Sequence, residues 1–376
     1  MSLFHRQTKP AISIFTTSEG HYSLAQAAQQ AFGQKYTVHF NLVQGKEFTL
    51  YTPFYLFFPQ LFKIPFKLSS APAIKKVVNS FSKISYQKKI SKILSFQKPQ
   101  IIISSFYMHN PLLERYCSQH KTPLFNIIAN PRTFSPLEFS SQAYNLVFDS
   151  QATTDSINLG ISKTKIITTG WFVRDQFEKK YNQKQVRQQL KLDPNVLTLL
   201  IVAGSEGTNT ILKNFPAFIN TKRPVQVIFA CGKNKGLYST INTLSKAIKT
   251  AHPKTKAKIT PLAFTKEIHL YLQAADLIIG KAGPNLLFEA VATRTPFLAT
   301  THVSGQEDGN LDIIKEYNLG YVEENLARSV KLIKHLINNP QTLKQFQPSL
   351  KKMASHNQNS KKILLQTVEN LLKTSS

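Results

Sequence analysis

The chain has 376 residues, a length that suits two domains of ordinary size. Hydrophobic residues make up 42% of it, which excludes an intrinsically disordered protein. Lysine and arginine number 47 against 20 acidic residues, and the resulting net charge of +27 favours anionic partners: nucleic acid, an anionic membrane surface or phosphorylated substrates. The only cysteines, Cys117 and Cys231, cannot build a disulfide framework and favour a reducing compartment.

The sequence has no pattern of a secretory signal or of a membrane-spanning helix. The first ten residues are mixed and polar, and the apolar stretch Ala11–Thr17 is too short for a signal peptide. No clean apolar run reaches the roughly 18 residues that a spanning helix needs. We therefore expect any membrane contact to be peripheral.

Short apolar runs alternate with helical patterns along the whole chain, beginning with a strand at Ala11–Thr17 and an Ala-rich helix at Tyr22–Phe32. This alternation predicts parallel sheets covered by helices. The further strands are predicted at Gln100–Ser104, Leu124–Ile128, Asn145–Phe148, Lys165–Thr168, Leu197–Ala203, Val225–Ala230, Ala257–Thr260, Leu277–Ile279 and Phe297–Ala299.

The pattern breaks after Gly170, which predicts two domains. We predict an N-terminal domain over residues 1–170, a linker over 171–195 and a C-terminal domain over 196–355. The C-terminal residues predict three helices separated by polar segments, the second of them at Ser355–Asn359. The last helix, residues 356–376, is a candidate to cross back to the N-terminal domain.

The segment Phe48–Leu113 contains no acidic residue, and its aromatic rings are followed by lysines. Rings beside ammonium groups suit the headgroup region of a membrane. Two other interpretations stay open: helices that bury their rings and solvate their lysines, and a nucleic-acid groove, although no nucleic-acid-binding signature supports the latter. The residues predicted to meet the membrane or the acceptor are Phe54, Tyr55, Phe57, Phe58, Phe62, Lys63 and Lys67.

The common catalytic motifs are missing: there is no dinucleotide fingerprint, Walker A loop, zinc-protease motif or nucleophile elbow. An Asp-x-Asp pair, which often holds a metal beside a nucleotide-sugar diphosphate, is missing as well. We therefore expect any sugar-transfer chemistry here to need no metal.

Two small polar turns have features of a phosphate or ribose site. Ala203–Thr208 follows a strand and precedes a helix, so that backbone N–H groups can approach a diphosphate; the alternative is an ordinary glycine-rich turn. In Gly280–Ala290, Pro284 suits the first helical turn. Glu289 either accepts hydrogen bonds from a ribose diol or complements the helix dipole.

Two further turns carry polar side chains suited to a substrate. The segment Ser304–Asn310 either binds sugar hydroxyls through its polar side chains or is a solvated turn that caps a helix. In Ser18–His21, His21 lies where ligands bind in open α/β sheets. It is a candidate general base, with Glu19 as its alternative or its orienting partner, or it is a structural histidine.

At these residues the chain resembles a known family. Ala274–Gly320 is similar to the donor-binding signature of the glycosyltransferases that include monogalactosyldiacylglycerol synthases and processive diacylglycerol glucosyltransferases. The peptidoglycan lipid-intermediate N-acetylglucosaminyltransferase is a more distant member. The residues that carry the resemblance are Ala274–Ile278, Lys281–Pro284, Phe288–Ala290, Thr295–Pro296 and Gly305–Asn310, with Gly204–Gly207, Ala230–Asn234, Phe264, Thr169–Gly170, Val173–Arg174, Gly20–His21 and Ala25–Ala28 in agreement.

The resemblance implies an α/β protein of GT-B architecture, with two Rossmann-like domains facing a cleft. It implies inverting transfer of a hexose from UDP-glucose or UDP-galactose to a lipid acceptor, foremost diacylglycerol, without cofactor or metal. The enzyme would lie in the cytoplasm, attached peripherally to the anionic inner face of the membrane, with no nucleic-acid partner. The alternatives are a UDP-N-acetylglucosamine transferase acting on a polyprenyl-diphosphate or lipopolysaccharide-type acceptor, and a non-catalytic basic protein that binds membrane or nucleic acid.

The resemblance also implies a role for individual residues of this sequence. The donor-binding residues would be Gly204, Ser205 and Gly207 near the diphosphate, Phe264 and Thr265 at the uracil, Gly283 in the second turn, Glu289 at the ribose, and Gln306, Glu307 and Asn310 around the sugar. His21 would stand at the reacting centre, either as the base or as a hydrogen-bond donor to the diphosphate.

The departures from the family pattern lie on the acceptor side and at the domain junction. Because a glutamate stands in the opening turn, Glu19 becomes a rival of His21 for the role of base. The departures are Ser18 and Glu19 in a turn that the family makes richer in glycine, Phe106 or Tyr107 in place of a histidine with His109 displaced, Asn130 in place of an aspartate, and Phe172 in place of a proline.

Overall fold

A computed structural model describes residues 9–45, 72–203 and 209–374 of the chain. Contacts divide the chain into two compact units. The first comprises Met1–Arg174 and Asn357–Ser376, and the second comprises Asp175–His356. Within the described ranges, no helix combines the length and the apolar character needed to cross a bilayer.

The first unit is built on a parallel sheet of six strands that alternate with helices. Its strands are β1 (Ala11–Thr16), β2 (Thr37–Leu42), β3 (Ile101–Ser104), β4 (Leu124–Ile127), β5 (Tyr144–Val147) and β6 (Ile166–Thr168). Its described α-helices are α1 (Gly20–Gln29), α2 (Pro72–Gln97), α3 (Asn110–His120) and α4 (Ser150–Asn158).

The strand order of this sheet is β2-β1-β3-β4-β5-β6. The order reverses between β1 and β3, which is where ligands bind in open parallel sheets. Ile12 and Ile101 pair across these two strands, and both are fully buried because helices cover the sheet. Helix α2 packs against the sheet and α3 through buried side chains such as Tyr86 and Ile90.

The second unit is built on another parallel sheet of six strands. Its strands are β7 (Leu197–Val202), β8 (Val225–Ala230), β9 (Ala257–Leu262), β10 (Leu277–Lys281), β11 (Phe297–Thr301) and β12 (Gly320–Val322). Its described α-helices are α5 (Asp175–Glu178), α6 (Gln183–Gln189), α7 (Lys235–Ala251), α8 (Ile268–Ala274), α9 (Pro284–Ala292), α10 (Asp308–Glu316) and α11 (Leu326–Asn338), followed by α12 (Gln347–Thr374), whose end belongs to the first unit.

The strand order here is β12-β11-β10-β7-β8-β9, so the reversal falls between β7 and β10. A Cβ atom on Gly280 would stand 3.0 Å from the backbone oxygen of Val202, so a side chain at this position would force its neighbours to shift. The register of β10 against β11 shifts between Gly280 and Lys281, and such an irregularity redirects a side chain at the strand end. The side chain redirected here is that of Lys281.

The predicted α/β class with two Rossmann-like sheets is confirmed, and each predicted strand has a counterpart. Two strands escaped prediction, β2 and β12, and both lie at a sheet edge. The predicted polar break at Ser355–Asn359 is wrong, because α12 runs through it without interruption.

Candidate functional site

The turn between β1 and α1 places His21 at the reversal point of the first sheet. Nδ1 of His21 donates a hydrogen bond of 2.5 Å to the carbonyl of Ser105, which follows β3. Ser105 is held in turn, because its N–H donates to the carbonyl of Phe15 at 3.1 Å and its Oγ lies 2.8 Å from Oγ1 of Thr16. His21 therefore bridges the two strands between which the sheet order reverses.

The surroundings of His21 keep its ring neutral. Burial lowers the pKa of His21 to about 4, an effect only partly opposed by the bond to Ser105. Because a carbonyl can only accept, Nδ1 carries the proton and Nε2 keeps its lone pair. Phe106 packs edge-on against the ring, with 5.0 Å between centroids. The arrangement is that of a general base with a defined tautomer.

The neighbouring His109 belongs to the core of the first unit. It is fully buried, and its Nε2 donates to the carbonyl of Val43 at 3.1 Å. Burial lowers its pKa to about 3, and its ring packs edge-on against Tyr86 and Phe106. His109 therefore supports the wall behind Phe106, and His21 is the more exposed of the two rings.

Glu19 occupies a strained backbone position in the same turn. Its φ of 60° and ψ of −123° lie in a region that suits glycine and is costly for other residues. The side chain is exposed and does not cap α1. The turn thus has a backbone geometry that favours glycine, although glutamate occupies it.

We expect Glu19→Gly to raise the free energy of unfolding by roughly 1 kcal/mol, because glycine adopts this conformation without strain. Chemical denaturation of the variant and of the native protein measures the difference. If His21 is the base, the variant keeps its activity. Loss of activity in a stabilised variant would assign the base to Glu19 instead.

At the edge of the second sheet, an ion pair joins the loops that follow β10 and β11. Nζ of Lys281 donates to Oε1 of Glu307, and Oε2 of Glu307 accepts a hydrogen bond of 2.8 Å from the N–H of Val303. The Glu307 side chain is only 7% exposed, so this carboxylate is enclosed and both its oxygens are engaged. The ammonium group lies beside Gly283, the residue that precedes α9.

Two further contacts fix the loop after β11. Nδ2 of the buried Asn310 donates to the carbonyl of Ala282 at 2.7 Å, so it ties the start of α10 to the loop after β10. His302 lies 2.7 Å from Oε1 of Glu324 through Nδ1 and 3.0 Å from Oδ1 of Asp308 through Nε2. The loop is therefore held at both ends before any ligand arrives.

The predicted sugar-reading residues consequently differ in their surroundings. Gln306 is partly exposed between the two fixed ends, whereas Glu307 and Asn310 are buried and bonded to the protein. Glu289 lies in the second turn of α9 and is partly exposed. The roles of these residues toward a ligand stay predictions.

The predicted uracil residues follow β9. Phe264 is 59% exposed, which is unusual for a large aromatic ring, and Nζ of Lys233 lies 5.4 Å from its centroid. Thr265 Oγ1 accepts a hydrogen bond of 3.0 Å from the N–H of Glu267 and so shapes the turn. An exposed ring at the carboxyl edge of a parallel sheet can stack on a base.

Two sets of predicted residues lie outside the described ranges. One is the predicted diphosphate loop, Gly204, Ser205 and Gly207. The other is the predicted membrane set, Phe54, Tyr55, Phe57, Phe58, Phe62, Lys63 and Lys67. Over the part of the chain that is described, no three His, Cys, Asp or Glu side chains are grouped as metal ligands.

Sequence reasoning gave no role to Lys281 within the site, nor to Ser105 or His302. Lys281 carried a usable signal, because a lysine at the end of an otherwise apolar strand, next to a glycine turn, is costly to keep there without a partner. Ser105 acts through its backbone carbonyl, for which a sequence has no signal.

The solvent-facing side of α2 combines lysines with apolar side chains. Ile84 is 86% exposed, and Val77 lies two turns before it on the same face. The exposed lysines of this helix are Lys75, Lys76, Lys83, Lys88, Lys89 and Lys92. Of these, Lys88 and Lys92 lie about one and two turns after Ile84 on the same side of the helix, and we call the surface formed by Lys88, Lys92, Val77 and Ile84 the basic face of α2.

The chain is similar in sequence to a known protein domain and to several named proteins. Residues 198–368 match the glycosyltransferase family 28 C-terminal domain. Monogalactosyldiacylglycerol synthase 3 of Arabidopsis thaliana is 25% identical over 363 residues, which cover 90% of this chain and 76% of that protein. A processive diacylglycerol beta-glucosyltransferase of Bacillus subtilis is 24% identical over 294 residues, covering 78% of this chain and 74% of that protein.

A solved structure shows the fold. The crystal structure of MurG from Acinetobacter baumannii superposes with a TM-score of 0.61 at 15% identity, covering 97% of this chain and all of that one. The predicted GT-B class is thereby confirmed, and the predicted family resemblance is confirmed by the family 28 match and the two relatives.

Proposed function

We propose that this chain, a glycosyltransferase that carries the family 28 C-terminal domain, moves a hexose from a UDP-sugar to a hydroxyl of a diacylglycerol-type lipid at an anionic membrane surface. The names of its relatives, which act on diacylglycerol or make monogalactosyldiacylglycerol, support the lipid class. The observation that carries the proposal is the pre-formed edge at β10 and β11, where Lys281, Glu307 and Asn310 hold two loops together.

The donor is held by the second unit in this proposal. The exposed ring of Phe264 stacks on the uracil, and the Glu289 carboxylate accepts hydrogen bonds from the ribose hydroxyls. Gln306 meets the sugar hydroxyls, while Glu307 keeps Lys281 in place. The positive end of α9 and the backbone N–H groups of its first turn stabilise the charge of the diphosphate, so we propose a reaction that needs no metal ion.

The chemistry is a single displacement with inversion at the anomeric carbon. The acceptor oxygen forms a bond to that carbon as the bond from the carbon to the diphosphate oxygen breaks, and UDP leaves with the bonding electron pair. The acceptor hydroxyl gives its proton to Nε2 of His21, whose lone pair is kept available by the bond from Nδ1 to Ser105. The imidazolium then returns the proton to water.

The basic face of α2 is the proposed contact with the membrane. Ammonium groups meet lipid phosphates there, and the exposed Ile84 and Val77 enter the headgroup region. The absence of acidic residues from Phe48 to Leu113 favours this orientation, because no carboxylate would be repelled by an anionic surface.

We expect the combined substitution of Lys88 and Lys92 by alanine to weaken binding to anionic vesicles about 30-fold at low salt. Each lysine near such a surface contributes about 1 kcal/mol, and salt screens the attraction. Vesicle sedimentation at low and high ionic strength measures the binding and its dependence on salt. The matched control replaces Lys331 and Lys334, which are exposed in the second unit. Equal loss of vesicle binding in both double variants would refute the assignment of the membrane contact to α2.

A further inference from the structure

A buried carboxylate in the first unit holds the side chain of Asn130. Nδ2 of Asn130 donates to Oε2 of Glu138 at 2.9 Å, and the N–H of Ser135 donates to Oε1 of Glu138 at 3.0 Å. Both side chains are buried, with 9% exposure for Asn130 and 7% for Glu138. Neither side chain takes part in the proposed displacement.

The carboxylate dictates which way the amide of Asn130 points. An ionised carboxylate has no hydrogen to donate, so Asn130 must turn its NH2 group toward Glu138. Its Oδ1 then points away from Glu138. That oxygen receives no hydrogen bond from the described residues, and it is not one of the fully enclosed side-chain atoms that lack a partner. Asn130 therefore offers a directed hydrogen-bond acceptor.

The offered oxygen lies on the same sheet edge as His21. Asn130 follows β4, which pairs with β3, and His21 is bonded to Ser105 just after β3. Neighbouring strands lie about 4.8 Å apart, so the loop after β4 begins roughly one strand spacing from Ser105. A substrate hydroxyl that gives its proton to His21 belongs to a molecule that must lie along this edge.

We propose that, when the acceptor is a diacylglycerol that already carries a sugar, Asn130 presents its Oδ1 to the sugar hydroxyl beside the one that reacts, and that Glu138 is the positioning residue that fixes this direction. This assignment rests on the proposed function and adds to it the two residues that recognise the acceptor. It predicts that acceptors with a free hydroxyl beside the reacting one, such as a sugar headgroup, depend on this pair, and that donor binding does not.

Protonation of Glu138 reverses the amide. Burial raises the pKa of Glu138 to about 7, against the lowering effect of its bonds from Ser135 and Asn130. Above that pH the carboxylate accepts from the NH2 group; below it, Oε2 carries a proton and donates to Oδ1, so the NH2 group turns to the substrate. No charged side chain of the described residues bonds Glu138, and Arg132 in the same loop is paired with Asp149 at 2.6 Å. Binding of a glycosylated acceptor should therefore weaken as the pH falls through about 7.

A pair of variants separates this role from a structural one. In Glu138→Gln the amide oxygen of the new side chain must accept the hydrogen bond from the N–H of Ser135. Its NH2 group then faces Asn130, which must turn its own Oδ1 toward residue 138. We expect the KM for a glycosylated diacylglycerol acceptor to rise about tenfold, with the KM for the donor unchanged. Adding Asn130→Asp restores an accepting oxygen on the substrate side, and we expect the double variant to return to within about threefold of the native KM. Glu114→Gln is the control for a carboxyl group on α3.

The outcome that overturns the proposal is a double variant as impaired as Glu138→Gln, or a Glu138→Gln enzyme with native acceptor KM. A second readout needs no turnover. The Asn130 side-chain amide, assigned in a two-dimensional ¹⁵N–¹H spectrum by its loss in Asn130→Asp, should titrate near pH 7 in the native protein and not in Glu138→Gln. If no glycolipid forms at all, the proposed function fails, while a missing titration overturns the role of Glu138 separately.

Discussion

Replacing His21 by alanine is expected to lower kcat by about 10²–10⁴-fold, which is the usual contribution of a general base. The binding of UDP should not change, because no donor contact is assigned to His21. The physical reason lies in the bond from Nδ1 to Ser105, which leaves Nε2 as the only site on the ring for the proton of the acceptor. Steady-state turnover measures kcat, and calorimetry with UDP measures the affinity.

His120→Ala is the matched control, since this histidine is exposed at the end of α3 and its loss should leave kcat within about twofold of the native value. The assignment of His21 as the base is contradicted if His21→Ala retains most of its kcat. A simultaneous loss of UDP binding would point to misfolding rather than lost base catalysis.

The pH dependence of the native enzyme gives a further check on His21. A base with a pKa of about 4 is already unprotonated at pH 5, so the acid limb of kcat should fall near pH 4 and not near the 6.5 of an ordinary histidine.

The same shift in the pKa of His21 destabilises the fold in acid. Because the pKa in the folded protein lies below that in the unfolded chain, the free energy of unfolding decreases as the pH falls from 6.5 toward 4.

Glu289→Ala is expected to lower the affinity for UDP about 100-fold. A hydrogen bond to a charged group contributes about 1.5–3 kcal/mol, and the ribose diol offers two of them to the carboxylate. Calorimetry with UDP and with 2′,3′-dideoxy-UDP isolates the contact. The native protein should prefer UDP strongly, and the variant should bind both ligands alike.

Asp312→Asn serves as the control for Glu289, because Asp312 is an exposed carboxylate on the neighbouring helix α10. It should retain the native preference for UDP. If Glu289→Ala still prefers UDP over the dideoxy ligand by the native factor, the carboxylate does not hold the ribose, and its place on α9 has only a structural reason.

The interior strands were predictable because buried parallel strands form continuous apolar runs. Edge strand β2 was missed: its sequence mixes polar and apolar residues, and each of its side chains is at least partly exposed. Strand β12 has only three residues, which is too short for any periodic signal.

The polar run Ser355–Asn359 was interpreted as a turn because polar clusters usually separate helices. In the structure Asn357 is buried in α12, and its Oδ1 accepts a hydrogen bond of 3.0 Å from the N–H of Trp171. A polar side chain used for a contact 186 positions away leaves no local pattern, so propensity alone could not find it.

The candidate site was likewise only partly predictable from the sequence. The motif residues on the loops after β10 and β11 could be named from the family resemblance, yet their division into enclosed and accessible side chains could not. The pairing of Lys281 with Glu307 joins residues on two different strands, and only the sheet order brings them together.

The most direct test of hexose transfer to a lipid is a turnover assay with purified protein, diacylglycerol in anionic vesicles, EDTA, and radiolabelled UDP-glucose and UDP-galactose in parallel. We predict a labelled glycolipid from one of the two donors, formed at the same rate with and without EDTA. Labelled product only after a divalent metal is restored would contradict the metal-free reaction. No product from either donor, together with no binding of UDP, would contradict the central claim that this chain transfers a hexose to a lipid.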